Sequence, residues 1–128
     1  MPHQDQILAL ADKTLLLVED DKAFLDRLSR ALEARGFIVR ACDNVADGLI
    51  QVNDAPPAFA VVDLRLADGN GLDVVSALKK RRPDRRGIIL TGYGNIATAV
   101  TAVKLGAIDY LAKPADADAV YGALVGDK

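Results

Sequence analysis

The chain has 128 residues, 51% of them hydrophobic and 27% charged, with a formal net charge of only −2. That length and apolar content suit one domain with a two-sided core. The charge balance excludes a protein built to coat nucleic acid, which needs a dense basic face. A single cysteine, Cys42, excludes an internal disulfide and fits a reducing compartment, while no run approaches the ~20 apolar residues of a membrane span or the pattern of a signal peptide. A soluble, cytoplasmic protein is expected.

Residues 1–13 read as a polar tail, and from Thr14 onward apolar runs alternate with amphipathic stretches. The first run, Leu15-Leu16-Leu17-Val18, predicts a strand buried on both faces. A helix follows, with Phe24, Leu25, Leu28, Ala31 and Leu32 at three- and four-residue spacing and Gly36 as its stop. Next come a strand at Phe37-Ile38-Val39, a helix over Val45 to Asn53, a strand at Phe59-Ala60-Val61-Val62 and a helix over Leu72 to Arg82 with Pro83 beyond. The rest reads as strand Ile88-Ile89-Leu90, helix Asn95 to Leu105 stopped by Gly106, strand Ala107 to Leu111 and helix Asp116 to Leu124. Five strand-helix pairs with short connections predict an α/β fold, a doubly wound, flavodoxin-like parallel sheet of five strands with helices on both faces.

In such a sheet a ligand binds outside the carboxyl ends of the strands. The first run ends in Glu19-Asp20-Asp21, the third in Asp63 and the fourth in Thr91; the fifth leads through Tyr110 to Lys113-Pro114. Carboxylates gathered at one rim without compensation would raise one another's pKa or require a cation. Oxygen ligands alone point to Mg²⁺ rather than Zn²⁺, and the sole histidine, His3, lies in the tail. A carboxylate beside Mg²⁺, with an ammonium and a hydroxyl near it, is equipped to attack a phosphoryl donor, and Asp63 would be the nucleophile. Taken singly, Asp20 or Asp21 reads as a helix N-cap, Thr91 as a loop hydroxyl, Lys113 as a solvated charge and Tyr110 as a packed strand aromatic. Their arrival at one rim carries the functional reading. The basic run Lys79-Lys80-Arg81-Arg82 reads as a helix C-terminus favoured by the macrodipole.

These residues resemble the receiver domain of bacterial two-component response regulators. The resemblance runs from about Thr14 to the C-terminus and rests on Leu17-Val18-Glu19-Asp20-Asp21, Val61-Val62-Asp63-Leu64-Arg65, Gly69-Asn70-Gly71-Leu72, Thr91-Gly92 and Asp109-Tyr110-Leu111-Ala112-Lys113-Pro114. It implies a strand order 2-1-3-4-5 and Asp63 as phosphoacceptor for a sensor histidine kinase. It also implies that Asp20 binds Mg²⁺ directly, Glu19 through water and Arg65 through its backbone carbonyl, that Thr91 and Lys113 hold the phosphoryl group, and that Tyr110 turns inward as Thr91 moves. Pro114 is a cis-peptide candidate, and kinase contact falls on the first helix around Phe24 to Leu32. The stretches Thr91 to Val100 and Ala112 to Asp118 are similar to the redox-responsive global regulators of the RegA/PrrA/ActR type. In those proteins a helix-turn-helix DNA-binding domain follows the receiver, outside the residues of this chain. Ala97, Val100, Ala102 and Val103 on the fourth helix would offer a homodimer contact after phosphorylation.

The chain departs from the common receiver pattern at Glu19, Ala67 and Gly92, where many receivers have aspartate, proline and alanine. The glycines flanking Tyr93 predict a mobile loop. Two other activities share parts of this pattern. A phosphatase of the haloacid dehalogenase class would want a second aspartate where Arg65 stands. A nucleotide- or flavin-binding module would want a glycine-rich turn where Glu19-Asp20-Asp21 stand.

Overall fold

The computed structural model describes residues 12–84, 86–92, 104, 109–113 and 115–125. Its strands are β1 (Thr14–Val18), β2 (Ile38–Cys42), β3 (Phe59–Asp63), β4 (Arg65–Leu66), β5 (Gly69–Asn70), β6 (Arg86–Thr91) and β7 (Asp109–Ala112). The helices are α1 (Lys22–Ala34), α2 (Val45–Asp54), α3 (Gly71–Arg81) and α4 (Ala117–Val125). The main sheet has the order β2-β1-β3-β6-β7 and every pairing in it is parallel, so its strands follow the expected 2-1-3-4-5 arrangement. The helix expected over Asn95 to Leu105 lies outside the described residues except for Lys104, as do Tyr93 and Pro114.

Alternation along the buried strands divides the core into two layers. Leu15 and Leu17, Phe59 and Val61, and Ile88 and Leu90 face Leu28 and Leu32 of α1 and Val120, Tyr121 and Leu124 of α4. Their neighbours Leu16 and Val18, Ala60 and Val62, and Ile89 face Val45 and Val52 of α2 and Val74, Val75 and Leu78 of α3. Each internal strand thus serves both layers, which is why its sequence is an unbroken apolar run. The rings of Phe37 and Phe59 meet edge to face, 5.2 Å between centroids, and knit the end of α1 to β3.

Helix ends follow the residue chemistry. Asp21 caps α1 by accepting from the Phe24 N–H at 3.2 Å, so of the two aspartates after β1 the second is the cap. At the other end Gly36, with φ of 105°, donates to Glu33, and the Phe37 N–H returns to the Leu32 carbonyl. That pattern needs a left-handed residue, hence the glycine. Lys79, Lys80 and Arg81 occupy the last turn of α3, as the macrodipole reading expects.

Two features differ from the sequence reading. β2 begins at Ile38 and extends to Cys42, later than expected, with Phe37 buried ahead of it. Among the described residues it is an edge strand that pairs with β1 alone, and its mixed burial breaks the apolar run that marks the other strands. The second difference is the antiparallel pair β4 and β5, Arg65 opposite Asn70 and Leu66 opposite Gly69, between Asp63 and α3. It is too short for a periodic signal. Among the described residues no helix is long and apolar enough to cross a membrane.

Candidate functional site

The parallel register carries the ends of β1, β3, β6 and β7 to one edge of the sheet. Val18 pairs with Val62, Asp63 with Leu90, and Thr91 with Ala112, so Glu19, Asp63, Thr91 and Lys113 emerge on successive strand ends. Backbone bonds hold these ends: the Glu19 N–H donates to Cys42, the Leu64 N–H to Leu90 at 2.7 Å and the Lys113 N–H to Thr91 at 2.8 Å.

Glu19, Asp20 and Asp63 offer carboxylate oxygens that all lie within 4.8 Å of one another. Glu19 is completely buried and Asp63 is 6% exposed, whereas Asp20 faces solvent. One Glu19 oxygen accepts from the Asp21 N–H at 3.0 Å; the other accepts from the Lys113 ammonium at 2.9 Å. The same ammonium reaches Asp63 at 3.4 Å and sits 5.3 Å from the centre of the Phe24 ring. Burial, followed by the charge of Glu19, drives the Asp63 pKa up from 3.8 to about 6, and Lys113 only partly offsets this. Lys113 shows the reciprocal effect. Burial works against its charge, but Glu19 and Asp63 outweigh that and raise its pKa.

Buried like charges packed this closely, with one ammonium among three carboxylates, form an oxygen-only donor set suited to a hard divalent cation. Thr91 is 3% exposed and its hydroxyl donates to the Gly92 carbonyl at 2.8 Å, so its side chain is held at the strand end. Tyr110, in register with Ile89, is half-buried against the core layer under α2 and α3. Arg65 is exposed on β4, directly after Asp63-Leu64.

The structure therefore brings Glu19, Asp20, Asp63 and Lys113 into one cluster with Thr91 on the neighbouring strand end, and Pro114 lies outside the described residues. Three residues near the cluster have no role there in the sequence reading. Phe24, assigned to the α1 core stripe, lies under the Lys113 ammonium. Gly71 has no room for a Cβ, which would lie 2.1 Å from the Asp63 carbonyl oxygen. Asp68 bonds across to α2. Only Gly71 carried a sequence signal, its place in the glycine motif.

Residues 15–124 match the family model for the response regulator receiver domain. The chain belongs to that family. A receiver domain is a phosphoacceptor switch, and this one is 63% identical over 130 residues to the acid tolerance regulatory protein ActR of Rhizobium meliloti, covering 98% of this chain and 67% of that protein. It is 61% identical over 115 residues to the photosynthetic apparatus regulatory protein RegA of Cereibacter sphaeroides, covering 90% and 62%. The receiver thus spans 59 to 67% of the length of such curated relatives. Among solved structures, a Burkholderia pseudomallei response regulator with a phosphorylated aspartic acid, calcium ion and citrate superposes with a TM-score of 0.82 at 42% identity, covering 88% of this chain and 66% of that one.

Proposed function

We propose that this receiver accepts a phosphoryl group from a sensor histidine kinase on Asp63 and passes the change to a transcriptional output, in the cytoplasm. The observation that carries the reading is the buried Asp63 carboxylate at the end of a central strand, clustered with Glu19, Asp20 and the Lys113 ammonium. Mg²⁺ would be held by Asp20 and Asp63, by Glu19 through water and by the Arg65 backbone carbonyl, and would supply neutralisation of the phosphoryl oxygens.

An Asp63 oxygen attacks phosphorus, the bond from phosphorus to the donor's nitrogen or oxygen breaks, and the chain is left with an acyl phosphate. Lys113 pairs with the transferred group and Thr91 turns its hydroxyl from Gly92 toward it. Tyr110 follows into the space that Thr91 leaves. An open groove of about 480 Å³ between α1 and α4, lined by Phe24, Arg27, Leu28, Ala31 and Ala115, lies beside this rim and gives the kinase a docking surface. The domain covers residues 14–128, and DNA contact belongs to a helix-turn-helix segment outside these residues.

Intact mass after incubation with a small-molecule phosphodonor tests the reading. A single Mg²⁺-dependent phosphoryl adduct is expected for the native chain and none for Asp63→Asn; an adduct that persists in the variant would place the acceptor elsewhere. A homodimer is expected once a phosphoryl mimic is bound, through the helix expected at 95–105. Sedimentation velocity checks this, and an unchanged coefficient refutes it.

A further inference from the structure

We propose that Asp68 is a positioning residue for the cation and phosphoryl site, acting by clamping the β4–β5 hairpin onto the N-terminus of α2; this rests on the receiver reading above. The hairpin is the direct continuation of β3, and it carries Arg65, whose carbonyl that reading gives to the cation. Its base is fixed by backbone, with the Leu64 N–H on Leu90 and the Gly71 N–H on the Leu64 carbonyl at 2.8 Å. Leu66, on β4, is buried in the layer under α2 and α3. None of these bonds holds the tip.

Asp68 holds it. One of its carboxylate oxygens accepts from the Val45 N–H at 2.8 Å and the other from the Ala46 N–H at 3.1 Å, 23 and 22 residues away in the chain. These two N–H groups belong to the first turn of α2, where the helix supplies no acceptor of its own. The local cap, Asn44, serves Asp47 instead, at 2.7 Å. Asn44 and Asp68 therefore divide the work: Asn44 closes the turn from within, and the donors at Val45 and Ala46 go to a distant loop. Gly69 supports the contact, since a Cβ there would lie 3.5 Å from the Val45 side chain, placing the tip against the first residue of the helix. The paired backbone bonds also hold the Asp68 carboxyl below its usual range and keep it ionised, the form that accepts both bonds.

A loop fixed at both base and tip presents the Arg65 carbonyl in one orientation, while a loop fixed only at its base must be ordered when the cation arrives. Loss of the clamp therefore weakens cation binding more than it changes the reaction of the loaded site. Groups that orient a ligand without touching the metal typically contribute ~10-fold or more in affinity.

Calorimetric titration with Mg²⁺ and the Mg²⁺ dependence of phosphoryl adduct formation, together with thermal unfolding, test this in the native chain, Asp68→Ala, Asp68→Asn and Asn44→Ala. Asp68→Ala is expected to raise the half-saturating Mg²⁺ concentration about 10-fold, with the adduct yield at saturating Mg²⁺ unchanged. Asp68→Asn keeps one acceptor oxygen and should fall between the native chain and alanine; it also serves if alanine does not fold. Asn44→Ala weakens the same helix end without touching the hairpin, so it should lower the unfolding temperature and leave the Mg²⁺ dependence alone. Native Mg²⁺ affinity in both Asp68 variants, or an equal loss in Asn44→Ala, would overturn the clamp and leave only a helix cap. Failure of the native chain itself to bind Mg²⁺ or form an adduct would instead overturn the receiver reading.

Discussion

Gly71→Ala is expected to lower stability by about 3 kcal/mol or more, at the upper end of what overpacking costs, and to reduce the unfolding temperature by roughly 10 °C. The added Cβ would lie 2.1 Å from the Asp63 carbonyl oxygen, 2.7 Å from a Val62 methyl and 3.0 Å from the Asp63 carbonyl carbon. Two of these three atoms are backbone of a strand paired on both sides, so they cannot rotate away. Among the described residues the glycines with positive φ are Gly36 and Gly69, not Gly71, which makes space rather than conformational freedom the reason for it. Any relaxation must shift the end of β3, so phosphoryl adduct formation should fall with stability. Gly122→Ala is the matching control. Among the described residues nothing lies within 4 Å of a Cβ there, and the position is inside α4, so the same chemical change should raise stability by up to about 1 kcal/mol. Equal melting temperatures for the native chain and Gly71→Ala would refute the packing account.

Asp63→Asn is expected to be more stable than the native chain at pH 7 without divalent cations, by about 1–3 kcal/mol. The Asp63 pKa is about 6 in the fold against 3.8 for an ordinary aspartate, because of burial first and the Glu19 charge second. Between those values the folded chain keeps a proton that the unfolded chain has lost. Its stability therefore falls as pH rises through that window, and the full penalty is present above pH 6. An amide carries no such penalty, and Lys113 retains Glu19 as its partner in the variant. The gap between the two proteins should close as pH approaches 4. It should also shrink when Mg²⁺ is added, since a ligand that binds only the folded native chain stabilises it by mass action. Denaturant unfolding over pH 4–8 measures this, and identical profiles for the two proteins would rule it out.

Both effects bear on what could be read from residues alone. The rim residues were legible because each ends an apolar run, and a parallel sheet delivers all such ends to one edge. β2 was misjudged at its boundaries because an edge strand, exposed at Ile38 and Ala41, lacks the two-sided burial that makes the others conspicuous. Asp68 was illegible for a different reason. Before Gly-Asn it reads as an ordinary turn aspartate, and its partners at Val45 and Ala46 become neighbours only once the sheet and α2 are assembled. Phe24 is legible as part of the apolar face of α1. Its nearness to Lys113 depends on how far that helix rides above β1, which periodicity does not contain.

Lys113 among the three carboxylates also fixes the electroneutrality of the rim. With Asp63 ionised, Glu19, Asp20, Asp63 and Lys113 together carry two negative charges, which one divalent cation cancels. A pocket loaded in that way would have no electrostatic reason to expel the ammonium or draw it further in. Under the proposed reaction, converting the Asp63 carboxylate to an acyl phosphate of charge about −2 would leave a surplus of about one negative charge where Glu19 and Asp63 are shielded from water. The groups that would answer it are the Lys113 ammonium and the Thr91 hydroxyl, on adjacent strand ends joined by the Lys113–Thr91 backbone bond. On the proposed reaction, a surplus of one charge would thereby act on β6 and β7 together, through strand ends that this bond joins.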